Sequence, residues 1–96
     1  MMKKTVLITG ATGAIGKATA LEFARNNCTV ILLGRNLEKL SKVKSDIIQA
    51  TKNNDIETVV AELSEPESIR KAVTEIKSKH NSLNALVNVA AIFKKQ

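Results

Sequence analysis

Thr-Val-Leu-Ile-Thr-Gly-Ala-Thr-Gly-Ala-Ile-Gly, residues 5–16, is the stretch that decides the fold of this chain. An apolar run is followed by glycines at positions 10, 13 and 16, and then by a helix-like pattern. A buried strand that turns into a helix over glycines leaves backbone N–H groups free at the helix N-terminus, where they attract an anion. In an α/β setting the usual anion is a nucleotide pyrophosphate, so the stretch predicts nucleotide binding. The alternative is a purely structural turn between a strand and a helix.

Four short apolar runs alternate with three helix-like stretches along the chain. Each run is continuously apolar, which is typical of strands buried on both faces of a parallel sheet. Right-handed crossovers then favour the strand order 3-2-1-4, the first half of a Rossmann fold with its switch to a fourth strand. The predicted fold class is therefore α/β, a partial Rossmann fold. The predicted strands are Val6–Ile8, Val30–Leu33, Val59–Ala61 and Ala85–Val87.

The three helices are predicted from apolar spacing and from capping residues. The first begins near Ala14 and ends near residues 26–27, and the second follows Asn36 as its N-cap. The third has Ser64 as its N-cap, with Pro66 tolerated in the first turn. We expect the first two helices to cover one face of the sheet and the third to cover the other. The residues predicted to face the sheet are Ile15, Ala18, Leu21 and Ala24, then Leu37, Leu40, Val43 and Ile47, then Ile69, Val73 and Ile76.

The composition narrows the classes of protein to consider. Hydrophobic residues make up 44% and charged residues 25%, as in ordinary globular domains, and no apolar run is long enough for a membrane span. The net charge of +6 would suit nucleic acid, but the lysines are scattered with no aromatic residues between them, so no nucleic-acid partner is predicted. Cys28 is the only cysteine, which excludes an intrachain disulfide and favours a cytoplasmic location with a buried thiol. We predict no metal site.

A phosphate-binding loop of the NTPase type is the near neighbour to exclude. Gly16-Lys17 matches part of the end of a Walker A motif. However, Ala11 stands where the motif has its first glycine, and Ala18 stands where it has the hydroxyl that ligates magnesium. Because alanine cannot ligate a metal ion, this class of site is not predicted.

Residues 9–16, Thr-Gly-Ala-Thr-Gly-Ala-Ile-Gly, resemble the glycine motif of the short-chain dehydrogenase/reductase family. The spacing is similar to the Thr-Gly-x-x-Gly-x-x-Gly variant of extended and atypical members, whereas the commonest form has glycine where this chain has Ala14. The resemblance implies a nicotinamide dinucleotide as the ligand. It also implies that the cofactor would be held at Gly10, Thr12, Gly13, Ile15 and Gly16.

Arg35 follows the second predicted strand, about 20 residues beyond the glycine loop. An acidic residue at this place would bind the ribose 2′-hydroxyl of NAD, whereas an arginine suits a 2′-phosphate by its charge and its fork geometry. Residue chemistry and resemblance therefore favour NADP(H) as the cofactor, and NAD(H) stays open as the alternative. Thr12 and Lys17 are candidates to assist Arg35 in binding the phosphate. The alternative is that Arg35 merely lies exposed at the start of the second helix.

Two further motifs follow the later strands. Glu62-Leu63 stands in the place of an Asp-Leu pair that, in the family, meets the adenine through its carboxylate; the alternative is an ordinary charge at a strand end. Asn88-Val89-Ala90-Ala91 aligns with the family's Asn-Asn-Ala-Gly motif, and only Asn88 and Ala90 match. His80, near the end of the third helix, is predicted to have a surface or capping role.

The family's Tyr-x-x-x-Lys pair lies beyond the fourth strand, and this sequence contains no tyrosine. We therefore predict no catalytic residue here and expect residues 1–96 to be the dinucleotide-binding segment of a larger domain, inactive alone. Three hypotheses compete: the amino-terminal part of a short-chain reductase, a non-catalytic module that binds NADP(H), and a remnant that binds nothing. The outer edge of the fourth strand, apolar and without a partner, is a candidate surface for self-association.

Overall fold

The structure, a computed structural model, describes residues 3–80 and 83–88. Strands and helices alternate along this part of the chain, and all strand pairs are parallel. The sheet order is β3-β2-β1-β4, which confirms the predicted order and fold class. The elements are β1 (Thr5–Thr9), α1 (Ala14–Arg25), β2 (Thr29–Gly34), α2 (Leu37–Thr51), β3 (Ile56–Val60), α3 (Pro66–Lys79) and β4 (Ala85–Asn88).

The sheet has a hydrophobic core on each face, as its continuous apolar runs predict. Successive side chains of a strand point to opposite faces, so Val6 and Ile8 lie on one side of β1 and Leu7 lies on the other. The first core is closed by α1 and α2 through Ala20, Ala24, Leu40, Val43 and Ile47. The second core is closed by α3 through Ala72 and Ile76. The predicted division of the helices between the two faces is confirmed.

The third strand begins three residues earlier than predicted. Glu57 and Thr58 interrupt the apolar run, but β3 lies at one end of the described sheet, where polar side chains are tolerated. The Glu57 carboxylate lies 3.0 Å from Nε2 of His80, the residue that caps the C-terminus of α3. His80 therefore has the capping role predicted for it, and its side chain also ties α3 to the sheet.

Two of the four residues predicted for the inner face of α1, Ile15 and Ala18, are wrong, whereas Ala24 is buried and Leu21 packs against the first core. Gly16, Ala20 and Ala24 are the buried residues of this helix, whereas Ile15 is 50% exposed and Ala18 is exposed as well. The buried residues are four apart and all small, which lets the helix axis approach the sheet closely. The predicted residues are three apart, so the predicted stripe misses Gly16 and Ala20, which share the buried face of Ala24 at a spacing of four.

The other two helices follow the predictions in part. Leu40, Val43 and Ile47 of α2 are buried as predicted, but Leu37 in its first turn is exposed. Asn36 is the N-cap, its side chain accepting a hydrogen bond from the Lys39 N–H. In α3 only Ala72 and Ile76 are buried, and the predicted stripe residues Ile69 and Val73 are exposed.

The predicted N-cap of α3 is wrong by one residue. The N-cap is Glu65, whose side chain makes no capping hydrogen bond, and Pro66 opens the helix. Ser64 instead donates its hydroxyl to the Glu62 carboxylate at 3.0 Å. The Ser64 hydroxyl, which the capping pattern predicts to bind the first turn of α3, is hydrogen-bonded to the Glu62 carboxylate instead.

Two further predictions concern the single cysteine and the fourth strand. Cys28 is free and buried, as expected. β4 ends the described sheet, and Leu86 on it is 62% exposed. Across residues 3–80 and 83–88, no helix combines the length and the apolar character needed to cross a bilayer.

An ion pair joins α1 to α2. Lys17 Nζ lies 2.6 Å from Asp46 Oδ2, and Lys42 Nζ lies 3.7 Å from the same oxygen. The hydrogen bond from Lys17, assisted by the charges of both lysines, lowers the pKa of Asp46 below its ordinary value of 3.8. The side chain of Lys17 on α1 is therefore paired with α2.

The Asp46 pair gives stability a defined dependence on pH. Folding lowers the pKa of the Asp46 carboxyl. The stability that the ion pair contributes is therefore complete above the pKa of Asp46 in the unfolded chain and is lost as pH falls through its pKa in the folded chain. We expect Asp46→Asn to be less stable than wild type near neutral pH and to lose less stability below about pH 5. Urea unfolding at a series of pH values measures this, with Glu38→Gln, an exposed neutralisation on the same helix, as the control. Equal losses of unfolding free energy at acid pH in wild type and Asp46→Asn would contradict this prediction.

Candidate functional site

The glycine turn connects β1 to α1 with almost no room to spare. Gly10 has a φ of 70°, a conformation that residues with a side chain rarely adopt, and its carbonyl accepts a hydrogen bond from the Gly13 N–H at 3.3 Å. A Cβ added at Gly16 would lie 2.9 Å from Ala11 Cα and closer still to the Gly10 carbonyl oxygen. The third glycine is therefore required by the close contact between the helix and the backbone of the turn that follows β1. Dinucleotide-binding turns use their third glycine for close packing of helix and strand in the same way.

The N-terminus of α1 is left open to a ligand. Its N-cap is Gly13, which has no side chain to accept a hydrogen bond, and the first turn contains no acidic residue. The first N–H groups of a helix have no partner within it, and the helix dipole adds positive potential there. An anion placed at this terminus would satisfy both.

A cleft of about 450 Å³ lies at the carboxyl ends of β1, β2 and β3. Each of these strands contributes the residues that directly follow it, together with the last residues of β2. Five lining residues are predicted from sequence: Gly10, Thr12, Arg35, Glu62 and Leu63. Four are not: Leu33, Gly34, Ala61 and Ser64.

Arg35 and Glu62 form an ion pair in the lining of this cleft. Arg35 Nη1 lies 3.6 Å from Glu62 Oε1, and the Arg35 side chain is 77% exposed. The strands that carry them are neighbours, with Gly34 beside Val60 in register, so the residues that follow both strands meet at one edge of the sheet. The cleft thus holds one cation and one anion within reach of the same ligand.

The Glu62 carboxylate is fixed on the side away from Arg35. Ser64 donates to Glu62 Oε2 from its hydroxyl at 3.0 Å and from its backbone N–H at 3.4 Å. These hydrogen bonds, and then the nearby charge of Arg35, lower the pKa of Glu62 below its ordinary value of 4.5. The Glu62 backbone N–H donates to the Ser68 hydroxyl at 2.7 Å, which anchors the residue to α3. Glu62 is therefore a held, ionised carboxylate at neutral pH.

The remaining predicted site residues lie around the cleft or outside the described residues. Gly13 and Ile15 lie at the start of α1, next to the lining residues of the glycine turn, and Gly16 is buried beneath them. Lys17 is paired with Asp46 and does not line the cleft. The backbone of Asn88 pairs with Thr9 in β4, its side chain is not among those described, and Ala90 lies outside the described residues.

Ser64 is a cleft residue that sequence reasoning assigned to another role, although it lines the cleft and holds the Glu62 carboxylate. The pattern Ser64-x-x-Glu67 is typical of a helix N-cap, and that interpretation obscured the shorter-range relation between Ser64 and Glu62. A serine two residues after a carboxylate at a strand end is a signal for a locally held carboxylate, because the loop returns its hydroxyl and N–H to the side chain.

The residues of the cleft fit an adenine nucleotide. The open helix N-terminus suits a pyrophosphate, and Leu33 and Leu63 supply apolar wall for a base. The exposed guanidinium of Arg35 suits a further phosphate group, and the Glu62 carboxylate can accept hydrogen bonds from an amine. The arrangement can hold and orient a nucleotide. It presents no pair of groups suited to moving a proton at a carbonyl within the described cleft.

The chain is similar to known oxidoreductases along almost its whole length. A family model described as short chain dehydrogenase matches residues 4–96. Among curated proteins, an uncharacterised oxidoreductase of Schizosaccharomyces pombe is 39% identical over 89 residues, which are 93% of this chain and 26% of that protein. The chain spans about a quarter of the length of the curated relatives it matches.

Solved structures share the fold. An NADPH dependent reductase involved in bacilysin biosynthesis matches with a TM-score of 0.82 and 27% identity, over 88% of this chain and 34% of that one. A xylitol dehydrogenase with bound NAD⁺ matches with a TM-score of 0.78 and 29% identity, over 86% of this chain and 31% of that one. The two neighbours differ in the nicotinamide dinucleotide that their descriptions name.

Proposed function

The chain belongs to the short chain dehydrogenase family, and from that premise we propose that it holds the cofactor of an NADP(H)-dependent oxidoreductase. The observation that carries the nucleotide preference is Arg35, whose exposed guanidinium lies in the cleft at the carboxyl ends of the strands. A guanidinium binds phosphate oxygens through paired, charge-assisted hydrogen bonds. It has no comparable partner on a 2′-hydroxyl.

In this proposal the pyrophosphate and the adenosine half of the cofactor each have residues suited to them. The N–H groups at the start of α1, with the turn from Gly10 to Gly13, hold the pyrophosphate. Glu62 and Leu63 meet the adenine, Thr12 lines the wall between, and Arg35 takes the 2′-phosphate. Ile15 and Gly16 shape the start of α1. Asn88, the last residue of β4, and Ala90, two positions further along the sequence, are proposed to border the cofactor on its other side.

The proposed role is binding and orientation. When bound, the dinucleotide supplies the hydride chemistry, and a family member provides the proton from a tyrosine paired with a lysine. This sequence has no tyrosine, so we propose that residues 1–96 form the dinucleotide-binding segment of a larger domain and show no turnover alone. A reduced, cytoplasmic setting fits the single buried cysteine. Self-association through the outer edge of β4 stays a prediction.

The two solved structures described above show why we base the proposed preference for NADP(H) on Arg35 and not on the fold. One solved neighbour is described as NADPH dependent and another holds NAD⁺, so the shared fold accommodates either nucleotide. The difference between the two nucleotides is one phosphate on the adenosine ribose. A charged side chain next to that position decides between them.

Calorimetric titration of the chain with NADPH and with NADH tests the proposal. We expect NADPH to bind more tightly, and Arg35→Ser to weaken NADPH about tenfold while NADH changes less than about twofold, because a hydrogen bond to a charged group contributes about 1.5–3 kcal/mol. Arg25→Ser is the matched control, since Arg25 is an exposed arginine at the far end of α1. No saturable binding of either nucleotide at millimolar concentration would leave the hypothesis of a remnant that binds nothing.

A further inference from the structure

We infer that Glu62 is a specificity-determining residue that competes with the cofactor's 2′-phosphate for Arg35. This inference rests on the proposed function, because it concerns the same cleft and the same nucleotide. It goes further by assigning to Glu62 an effect that opposes Arg35. The pair together, and not Arg35 alone, then sets the ratio of affinities for NADPH and NADH.

The first step is the contact itself. Glu62 Oε1 lies 3.6 Å from Arg35 Nη1, within the range of an ion pair, and both residues line the cleft. A carboxylate and a phosphate present the same kind of oxygen to a guanidinium. Any phosphate that takes the Nη1 side of Arg35 must therefore displace Glu62 or share the guanidinium with it.

The second step is that Glu62 cannot easily move away. Ser64 holds the other carboxylate oxygen through its hydroxyl at 3.0 Å and its N–H at 3.4 Å. The Glu62 backbone is tied to α3 through Ser68 at 2.7 Å. A carboxylate held in this way stays close to the guanidinium and repels a second anion bound there.

The third step concerns side-chain length. The resemblance to the family places an aspartate at this position, and glutamate is longer by one methylene. Glu62 itself stands two residues past the end of β3, and its longer side chain places the carboxylate 3.6 Å from Arg35, the residue that follows the neighbouring strand β2. A ligand with a 2′-hydroxyl makes no claim on the guanidinium, so it leaves this ion pair in place.

The expected consequence is selective. Glu62→Gln removes the negative charge but keeps an oxygen that can accept from Ser64 and from an adenine amine. NADPH should bind about threefold more tightly to this variant, and NADH should change by less than about 1.5-fold, the scale of an exposed ion pair. Ser64→Ala, which releases the carboxylate, should produce a smaller rise for NADPH in the same direction.

The experiment is a calorimetric titration of wild type, Glu62→Gln and Ser64→Ala with NADPH and NADH, with circular dichroism to confirm that each is folded. Glu65→Gln is the matched control, because it removes the same charge from the same loop at a residue that does not line the cleft. A rise in the NADPH to NADH affinity ratio for Glu62→Gln but not for Glu65→Gln supports the inference.

The other outcomes separate this inference from the proposed function. If wild type binds NADPH and Glu62→Gln leaves the ratio unchanged, Glu62 does not compete for Arg35, and if the ratio falls, Glu62 orients Arg35 for the phosphate; either result overturns the inference alone. If the ratio rises equally in Glu65→Gln, the effect belongs to net charge, and the inference is again overturned. If neither wild type nor Glu62→Gln binds either nucleotide, both the inference and the proposed function are overturned.

Discussion

Gly16→Ala is expected to lower the free energy of unfolding by at least about 3 kcal/mol, at the upper end of overpacking costs. The added Cβ would lie 2.9 Å from both Ala11 Cα and the Gly10 carbonyl carbon, and nearer to the Gly10 carbonyl oxygen. All three are backbone atoms, so no flexible side chain can move to make room. The helix would have to shift away from β1, and the turn that presents its N-terminus would shift with it.

Thermal and urea unfolding measure the effect of Gly16→Ala directly. For a domain of this size, each 1 kcal/mol lowers the melting temperature by about 4–8 °C, so a fall of more than about 10 °C is expected. NADPH affinity should fall as well, because the N–H groups that would meet the pyrophosphate move with the turn.

Gly13→Ala is the matched control for this prediction. A Cβ at Gly13 would lie 3.8 Å from the Gly10 carbonyl oxygen, an ordinary contact, and its φ of −81° is open to alanine. Its cost is limited to the poorer N-cap, about 1 kcal/mol. Equal losses for the two variants would show that the turn is sensitive to any added methyl group, and the argument from close packing at Gly16 would then fail.

The fold was predictable because the strands are buried on both faces. A run such as Val30–Leu33 carries no alternation and is buried throughout, as is typical of a strand in a parallel sheet covered by helices on both faces. The boundaries of β3 were not predictable in the same way. Glu57 and Thr58 break the apolar run, and their acceptance depends on the position of β3 at the end of the described sheet and on His80 from another element.

The helix faces show a second limit. The residues of α1 that face the sheet are Gly16, Ala20 and Ala24, which carry little hydrophobic signal of their own. Their burial follows from the closeness of helix and strand, and that closeness follows from the glycine turn. The burial of such a stripe of small residues can therefore be predicted only after the geometry of the turn is known.

The cleft was predictable as a set of strand ends but not as a network. The order 3-2-1-4 makes β2 and β3 neighbours, so the meeting of Arg35 with Glu62 was implicit in the predicted topology. The distance between them depends on side-chain length and on the hold that Ser64 exerts on the carboxylate. Such contacts depend on loop conformation, which apolar periodicity does not encode.

Asn53 is expected to be the polar residue whose loss costs the most. It is only 7% exposed, and its side-chain amide donates to the Ala24 carbonyl at 3.1 Å and to the Cys28 carbonyl at 2.8 Å. Its side-chain oxygen accepts from the Asp55 N–H at 2.9 Å. One side chain thus joins the end of α1, the approach to β2 and the loop before β3.

Asn53→Ala should therefore lower the free energy of unfolding by about 3 kcal/mol, because the Cys28 carbonyl and the Asp55 N–H lose the partner that Asn53 supplies, and a buried backbone group left without a partner costs about 1–3 kcal/mol. The Ala24 carbonyl still accepts from the Asn27 N–H and contributes less to this loss. Asn54→Ala is the control, since Asn54 is the exposed neighbour and its loss should change stability by less than about 0.5 kcal/mol. Asn53→Asp refines the test: it keeps the acceptor for Asp55 but faces two carbonyl oxygens with a carboxylate, so it should be at least as destabilising as alanine at neutral pH. Urea unfolding of the three variants gives the comparison, and a loss for Asn53→Ala no larger than for Asn54→Ala would show that the three contacts contribute little to stability.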